Sequence, residues 1–272
     1  MTETIIAGVT DAEASRRAVD WAARTAVARG ARLVLVSVSP ERPDREAVPA
    51  AQILLDAEAA RLAAAGHAAE MESRALHGDV VDALVEVSEH ATMLVIGTDH
   101  PHHHRGEHGR KILADAHCTV VVVPELADAP RSGVVVGVDG SEVTAAAVAF
   151  AATAAAQLGE PLIAIGAWMP VPLDSNYALG TAPVATMPID MADPTRAVVD
   201  RALDPVRAAH PDLEVEVRIA EGDAAMILND AAEDASLLVV GTHGRGAVAR
   251  FFLGSVSDAV LREPTTVTAA VR

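Results

Sequence analysis

The sequence predicts an α/β protein made of two doubly wound parallel sheets of five strands each, the two sheets paired within one chain. Three observations lead there: an internal repeat, alternating strand and helix patterns in each half, and continuously apolar runs where a central parallel strand should lie. Ile5-Ile6-Ala7-Gly8-Val9 recurs as Val134-Val135-Val136-Gly137-Val138. Met93-Leu94-Val95-Ile96-Gly97-Thr98 recurs as Leu237-Leu238-Val239-Val240-Gly241-Thr242, and Gly78-Asp79 as Gly222-Asp223. Thr119 to Val123 resembles Thr265 to Ala269. The offset grows from 129 residues (Gly8 to Gly137) to 144 (Gly97 to Gly241), so about 15 residues are inserted between the second strand of the second half and Gly222.

In the second half the expected strands lie near 133–138, 161–167, 213–219, 236–241 and 265–270. The expected helices lie near 141–158, 194–209, 223–234 and 255–262. Leu213, Val215, Val217 and Ile219 alternate as a half-buried strand should, whereas 237–240 is apolar throughout. Asp193-Pro194 and Gly222-Asp223 are good helix starts: a capping carboxylate followed by proline, and a turn glycine followed by a carboxylate. Pro205 should kink or end the second helix. A stretch rich in Pro, Ala and Asp, Pro124 to Ser132, separates domains at 1–125 and 133–272.

At 272 residues the chain suits two domains of ordinary size. It is 51% hydrophobic and 22% charged, which is globular and not disordered. A formal charge of −17 argues against nucleic acid or an anionic membrane as partner, because both need a basic footprint. It leaves phosphate ligands open, since backbone N–H groups hold anions without side-chain charge. Cys118 is the one cysteine, so no disulfide forms within the chain, and its apolar neighbourhood predicts an inert core thiol. The N-terminus has no basic-then-apolar leader pattern, and no apolar run approaches the ~20 residues a membrane span needs. The expectation is a soluble, cytoplasmic protein.

The chemistry concentrates after the fourth strand of the second half, where ligands gather on a doubly wound sheet. Gly241-Thr242-His243-Gly244-Arg245-Gly246 leads through nine residues after Gly244 to Gly254-Ser255 at the start of a helix. Gly241 and Gly244 would let the backbone approach an anion and take positive φ. Gly254-Ser255 would place free amides and a hydroxyl at a positive helix end. A plain turn followed by a capping box, Ser255 with Asp258, is the competing reading. Asp139, at the end of the first strand, reads either as a turn residue or as a ligand contact.

This pattern, with Gly137-Val138-Asp139-Gly140-Ser141 after the first strand and Leu237 to Gly241 before the loop, resembles the ATP-binding subgroup of the universal stress proteins. The resemblance covers essentially the whole chain. It implies a Rossmann-like, adenine nucleotide alpha hydrolase-like fold and two halves joined as an internal pseudo-dimer through 119–123 and 265–270. It also implies ATP as cofactor, with any Mg²⁺ held mainly by the phosphates. Carried over, Gly241, Gly244, Gly254, Ser255 and Val256 surround phosphates and ribose. Asp139 lies across the switch point, and Ala167 and Val240 sit near the base. Arg245 is either a charge-assisted contact or a solvated loop residue. An adenine nucleotide is thus the expected partner, and a homodimer of the whole chain stays open.

The first half departs from the pattern. Aligning Gly97 with Gly241 puts His100 at Gly244, Arg110 at Gly254 and Lys111 at Ser255, and aligning Gly8 with Gly137 puts Thr10 at Asp139. Side chains at two glycine positions would fill phosphate space, so this half is not expected to bind ATP that way. His100, His102, His103, His104 and His108 crowd its loop, read as a solvated, pH-sensitive segment in preference to a metal site. With Arg105, Arg110 and Lys111 it could form a weak anion patch below about pH 6.5. The inserted stretch 169–192 is read as a lid or an arm to another subunit, with Trp168 and Tyr177 as aromatics for adenine or for packing.

Binding is favoured over catalysis. No G-x-x-x-x-G-K-[ST] loop exists, the second half has no lysine, and neither Asp139 nor His243 belongs to a nucleophile–base constellation. The expected role is a nucleotide-dependent stress or regulatory module; the alternatives are a slow ATPase, a nucleotidyl transferase of related fold, or a nucleotide-free scaffold.

Overall fold

The computed structural model describes residues 3–39, 47–67, 70–98, 105–126, 129–170, 190–243 and 253–272. Strand and helix alternate throughout. The first half runs β1 (Thr4–Gly8), α1 (Glu13–Arg29), β2 (Arg32–Ser39), α2 (Ala47–Ala64), β3 (Met71–His77), α3 (Val80–Ser88), β4 (Met93–Gly97), α4 (Arg105–Asp115) and β5 (Thr119–Val123). The second runs β6 (Val134–Gly137), α5 (Glu142–Leu158), β7 (Leu162–Trp168), α6 (Ala192–Ala209), β8 (Val215–Glu221), α7 (Ala224–Ala232), β9 (Leu237–Gly241), α8 (Ser255–Arg262) and β10 (Thr268–Val271).

The order across the sheet is β3-β2-β1-β4-β5-β10-β9-β6-β7-β8. Every pairing is parallel except β5 with β10, which run antiparallel with Val122 opposite Thr268, Val121 opposite Ala269 and Val120 opposite Ala270. The two expected five-stranded sheets are thus halves of one ten-stranded sheet, and their last strands meet as the resemblance implied. Pairing hides two edges that would otherwise expose unpaired N–H and C=O groups. The outer edges, β3 and β8, carry the same device at the same repeat position. Arg74 Nε donates to Glu72 at 2.6 Å, and Arg218 donates to Glu216 at 2.7 and 2.9 Å. Charged pairs of this kind discourage another strand from adding on.

Strand periodicity sorts the core onto two faces. Ile5, Ala7, Leu33, Leu35, Val134 and Val136 point one way, into a cluster with α1, α2, α5 and α6 that runs through both halves. Ile6, Val34, Val36, Leu94 and Val120 point the other way, against Ile112 and Leu113 of α4, and Leu261 and Ala270 of the second half join them. Alanine lets α1 and α5 approach the sheet closely: Ala18, Ala22, Ala147 and Ala151 are fully buried. Arg29 also bridges the halves, its guanidinium 4.8 Å from the Phe150 ring centroid and 3.7 Å from Glu3. Burial pulls its pKa down, and Glu3 opposes the shift.

The glycine–aspartate helix starts form as expected. Gly222 (φ +139°) and Gly78 (φ +125°) make the turn; Asp223 accepts from Met226 N–H, and Asp79 from Val81 and Asp82 N–H. Three expectations need correction. Helix α6 begins at Ala192, tied by Asp190 accepting its N–H at 2.8 Å, so Asp193 and Pro194 sit inside the first turn. Pro205 does not end it: the missing N–H costs one bond, and Val199, Leu203 and Val206 hold the helix to the sheet as far as Ala209. Strand β10 starts at Thr268; Thr266 before it is buried and its hydroxyl donates to Ala235 O at 2.7 Å. Among the described residues no helix is long and apolar enough to cross a membrane.

Candidate functional site

In the second half the strand order reverses between β6 and β9, so a crevice opens where their carboxyl ends part. Asp139 follows β6, Gly241 closes β9 and Ala167 lies near the end of β7, so three of the expected residues flank one edge of the sheet. Gly241 does not adopt positive φ, contrary to expectation. A Cβ there would lie 3.1 Å from Val143 Cγ1, so glycine is favoured by close approach to α5.

Beyond Gly241 the chain is anchored before it can wander. Thr242 N–H donates to Val271 O at 2.8 Å, extending the ladder past the strand. The Thr242 carbonyl then accepts from Gly254 N–H at 2.7 Å and from Ser257 Oγ at 3.4 Å. One residue thereby fixes both ends of the intervening loop and plants the start of α8 at the strand end. Thr242 was not singled out from sequence; its only signal is a small polar side chain between a strand and a glycine loop.

Helix α8 begins without a side-chain cap. Gly254 (φ −61°) is the cap residue, and the first intrahelical bond runs from Asp258 N–H to Gly254 O at 2.8 Å. The amides of Ser255, Val256 and Ser257 precede that bond and have no partner within the helix. The capping box does not form: Ser255 is the first helical residue instead of the cap, and Asp258 turns to Arg262, whose Nε donates to it at 3.0 Å. Ser255 is exposed at this positive helix end.

Asp139 is shaped by its own turn. Its Oδ1 accepts from Ser141 N–H at 2.9 Å and from Thr144 Oγ1 at 2.7 Å, which opens α5 and holds the carboxylate at the crevice. Ser141 Oγ in turn donates to His243 O at 3.4 Å, joining the two sides. His243 Nδ1 lies 2.8 Å from Thr242 Oγ1, and its Nε2 is buried with no hydrogen-bond partner. Val240 is 3% exposed and packs with Leu238, Val135 and Val260, so its side chain backs the crevice from beneath. Gly244 and Arg245 lie outside the described residues.

The first half is built differently at the same place. Helix α4 begins at Arg105, and the register of β5 and β10 makes Gly106 and Glu107, in its first turn, the counterparts of Gly254 and Ser255. The expected match of Arg110 and Lys111 to those positions is therefore off by four residues (110 − 106). At the position of Asp139, Thr10 serves its own turn: its N–H donates to Ser15 Oγ at 2.8 Å, and its hydroxyl accepts from Ala12 N–H. Gly97, the counterpart of Gly241, is required by packing, since a Cβ there would lie 2.0 Å from Ala14 O. His100, His102, His103 and His104 lie outside the described residues, as does Tyr177; His108 is exposed on α4. Among the described residues no group of three or more His, Cys, Asp or Glu side chains is placed to hold a metal. Cys118 is buried, and burial pushes its thiol pKa up to about 12, which agrees with an inert core residue.

The sequence model of the universal stress protein family matches residues 1–124 and again 131–272. The chain belongs to that family, and carries its domain twice. Universal stress protein Rv1996 of Mycobacterium tuberculosis is 30% identical over 94% of this chain and 91% of its own length. Universal stress protein Rv2623 of the same organism is 28% identical over 98% and 96%. Among solved structures, a universal stress protein from Archaeoglobus fulgidus superposes with a TM-score of 0.75, covering 99% of this chain and 98% of its own at 18% identity. That likeness speaks for the fold, including its two-domain arrangement.

Proposed function

We propose that the second half binds ATP in the crevice between β6 and β9, and that the chain acts as a nucleotide-dependent stress or regulatory module. The observation that carries the reading is the uncapped start of α8, where three consecutive amides without helical partners are pinned to the end of β9 by Thr242. Such a group is an anion site made of main chain, and it needs no lysine. In this reading Gly241, Gly254, Ser255 and Val256 take the phosphates and ribose, with Gly244 and Arg245 supplied by the loop between them. Asp139 faces them across the crevice, Ala167 lies beside the base and Val240 backs it. Any Mg²⁺ is held mainly by phosphate oxygens. The first half, with Thr10 in the place of Asp139, binds no nucleotide in this way and serves as the structural partner.

The test is mass spectrometry of small molecules released from freshly purified, denatured protein, compared with Gly254→Arg. Gly254 has φ −61°, so arginine strains no backbone there, yet its side chain would occupy the anion space. ATP released from the parent chain and absent from the variant is expected. Equal nucleotide in both would refute the site. Phosphate release faster than roughly 1 s⁻¹, an ordinary enzyme scale, would replace the binding reading with an enzymatic one.

A further inference from the structure

The two halves are related by a repeat, and the residues that meet around α4 and α8 differ between them. Arg110 Nε of α4 reaches Asp258 Oδ1 of α8 at 3.1 Å. Counted back from the register of β5 and β10, Arg110 and Asp258 occupy the same position of the repeat, so the pair joins equivalent points of α4 and α8 that carry opposite charges. Leu253, the residue before the α8 cap, packs into the cluster of Ile112, Leu113, Val120 and Val122 from the first half. Its counterpart by the strand register is Arg105, a charged residue in place of an apolar one. Arg272, one residue past β10, donates to Leu113 O at 3.2 Å and to Ala114 O, closing the C-terminal end of α4. By the strand register its counterpart is Pro124, which cannot donate.

Three contacts thus converge on the first half around α4, and two of them, at Leu253 and Asp258, bracket the amides of Ser255, Val256 and Ser257. We infer that Arg110 is a positioning residue for the α8 anion site, acting through Asp258, with Leu253 as its apolar companion. The first half is then a fixed support without which the nucleotide site is incomplete. This rests on the nucleotide reading above and adds the source of its rigidity. Energetically the argument is preorganisation: a start of α8 already held in place loses less freedom when a phosphate binds. Neutralising Asp258 from two sides, by Arg110 and Arg262, also removes a like charge from the approach of the phosphates.

The experiment uses the full chain and reads two quantities: amide hydrogen exchange at 255–258 without ligand, and ATP affinity by titration. Arg110→Ala should speed exchange at those amides and weaken ATP binding about 3-fold, the scale of a half-exposed ion pair. Arg110→Lys should restore most of both. Leu253→Ala should do the same as Arg110→Ala and more, about 5- to 10-fold, since apolar contact is lost. Lys111→Ala removes equal charge one residue away, from an exposed side chain, and should change neither reading by more than about 1.5-fold. By reciprocity, ATP should slow exchange in α4 of the parent chain. The inference is overturned if exchange at 255–258 is the same in Arg110→Ala, Leu253→Ala and parent, or if Lys111→Ala loses as much affinity as Arg110→Ala. Failure of the parent chain to bind ATP would refute the nucleotide reading alone, because the exchange comparison would still decide the anchoring.

Discussion

Gly97 and Gly241 occupy one position of the repeat, and the structure gives them different reasons to be glycine. At Gly97 an added Cβ would lie 2.0 Å from Ala14 O, 2.4 Å from Ala14 C and 3.0 Å from Ser15 N. These are main-chain atoms at the first turn of α1, so no rotamer change relieves the clash. Carbon and oxygen need roughly 3.2 Å, so the helix start must retreat by about 1 Å. It is held by Ser15, whose hydroxyl donates to Gly8 O at 3.1 Å and whose N–H donates to Ala12 O at 3.0 Å. Overpacking of that kind costs about 3 kcal/mol. For a unit of this size each kcal/mol is worth roughly 2–4 °C, so Gly97→Ala should melt about 6–12 °C below the parent. At Gly8 a Cβ would meet nothing nearer than 3.9 Å, and Gly8→Ala should be neutral or slightly stabilising through the unfolded chain. Gly241→Ala falls between, because Val143 Cγ1 at 3.1 Å can yield by a few tenths of an ångström. Thermal unfolding followed by circular dichroism on the three variants measures this directly. A Gly97→Ala melt within 2 °C of Gly8→Ala would refute the packing argument.

Other perturbations test the frame around the site. Asp79→Ala and Asp223→Ala each remove a helix cap and should cost about 1 kcal/mol in denaturant unfolding, with similar values expected because the caps are repeats of each other. Glu160→Ala should cost more, about 1–3 kcal/mol, because it leaves Gly133 N–H and Ser236 Oγ without the carboxylate they share at 2.7 and 2.9 Å; a loss under 0.5 kcal/mol would show that water replaces it fully. The Arg74 and Arg218 hydrogen bonds hold the Glu72 and Glu216 carboxyls below the usual range. Because both folded pKa values are depressed, their contribution is present above the unfolded carboxyl pKa and fades as pH falls through the folded values; Glu72→Gln with Glu216→Gln should flatten the acid limb of the stability curve between about pH 5 and 3. Cys118 should resist thiol reagents at pH 8 in the folded protein and react at once in denaturant, and fast labelling of the native chain would contradict its burial.

Much of the second half is readable in its sequence because each element states its period and its punctuation together. Strand β9 is continuously apolar and ends in glycine; α7 opens on Gly222-Asp223; α5 is an alanine run closed by Gly159 in the left-handed region. The misreadings share one cause, a local signal overruled by packing. Pro205 carries a strong breaker signal, but Val199, Leu203 and Val206 hold α6 to the sheet past it. Thr265 and Thr266 look like strand residues, yet they turn the chain into β10, with Thr266 satisfied by Ala235 O. Within the site the glycines and Asp139 are legible because their residue types are rare choices. Thr242, Leu253 and Arg110 are not, because what they do depends on partners far away in sequence. Arg110 carries no signal of its own in the sequence. Its bond to Asp258 becomes visible once β5 and β10 are known to run antiparallel.

That last dependence bears on why one chain keeps two unequal halves. The register of β5 and β10 puts Arg110 and Asp258 at one position of the repeat. In a symmetric pair the residue there would face a copy of itself across the two-fold axis, and a charge would meet a like charge. Covalent duplication lets the two positions differ, and here they carry opposite charges 3.1 Å apart. The expected outcome for Arg110→Asp is therefore a chain with two facing carboxylates and weaker ATP binding, and adding Asp258→Arg should restore most of the loss, both read by titration. A double variant no better than Arg110→Asp would show that the pairing itself does not matter, and the reason argued here for unequal halves would fail.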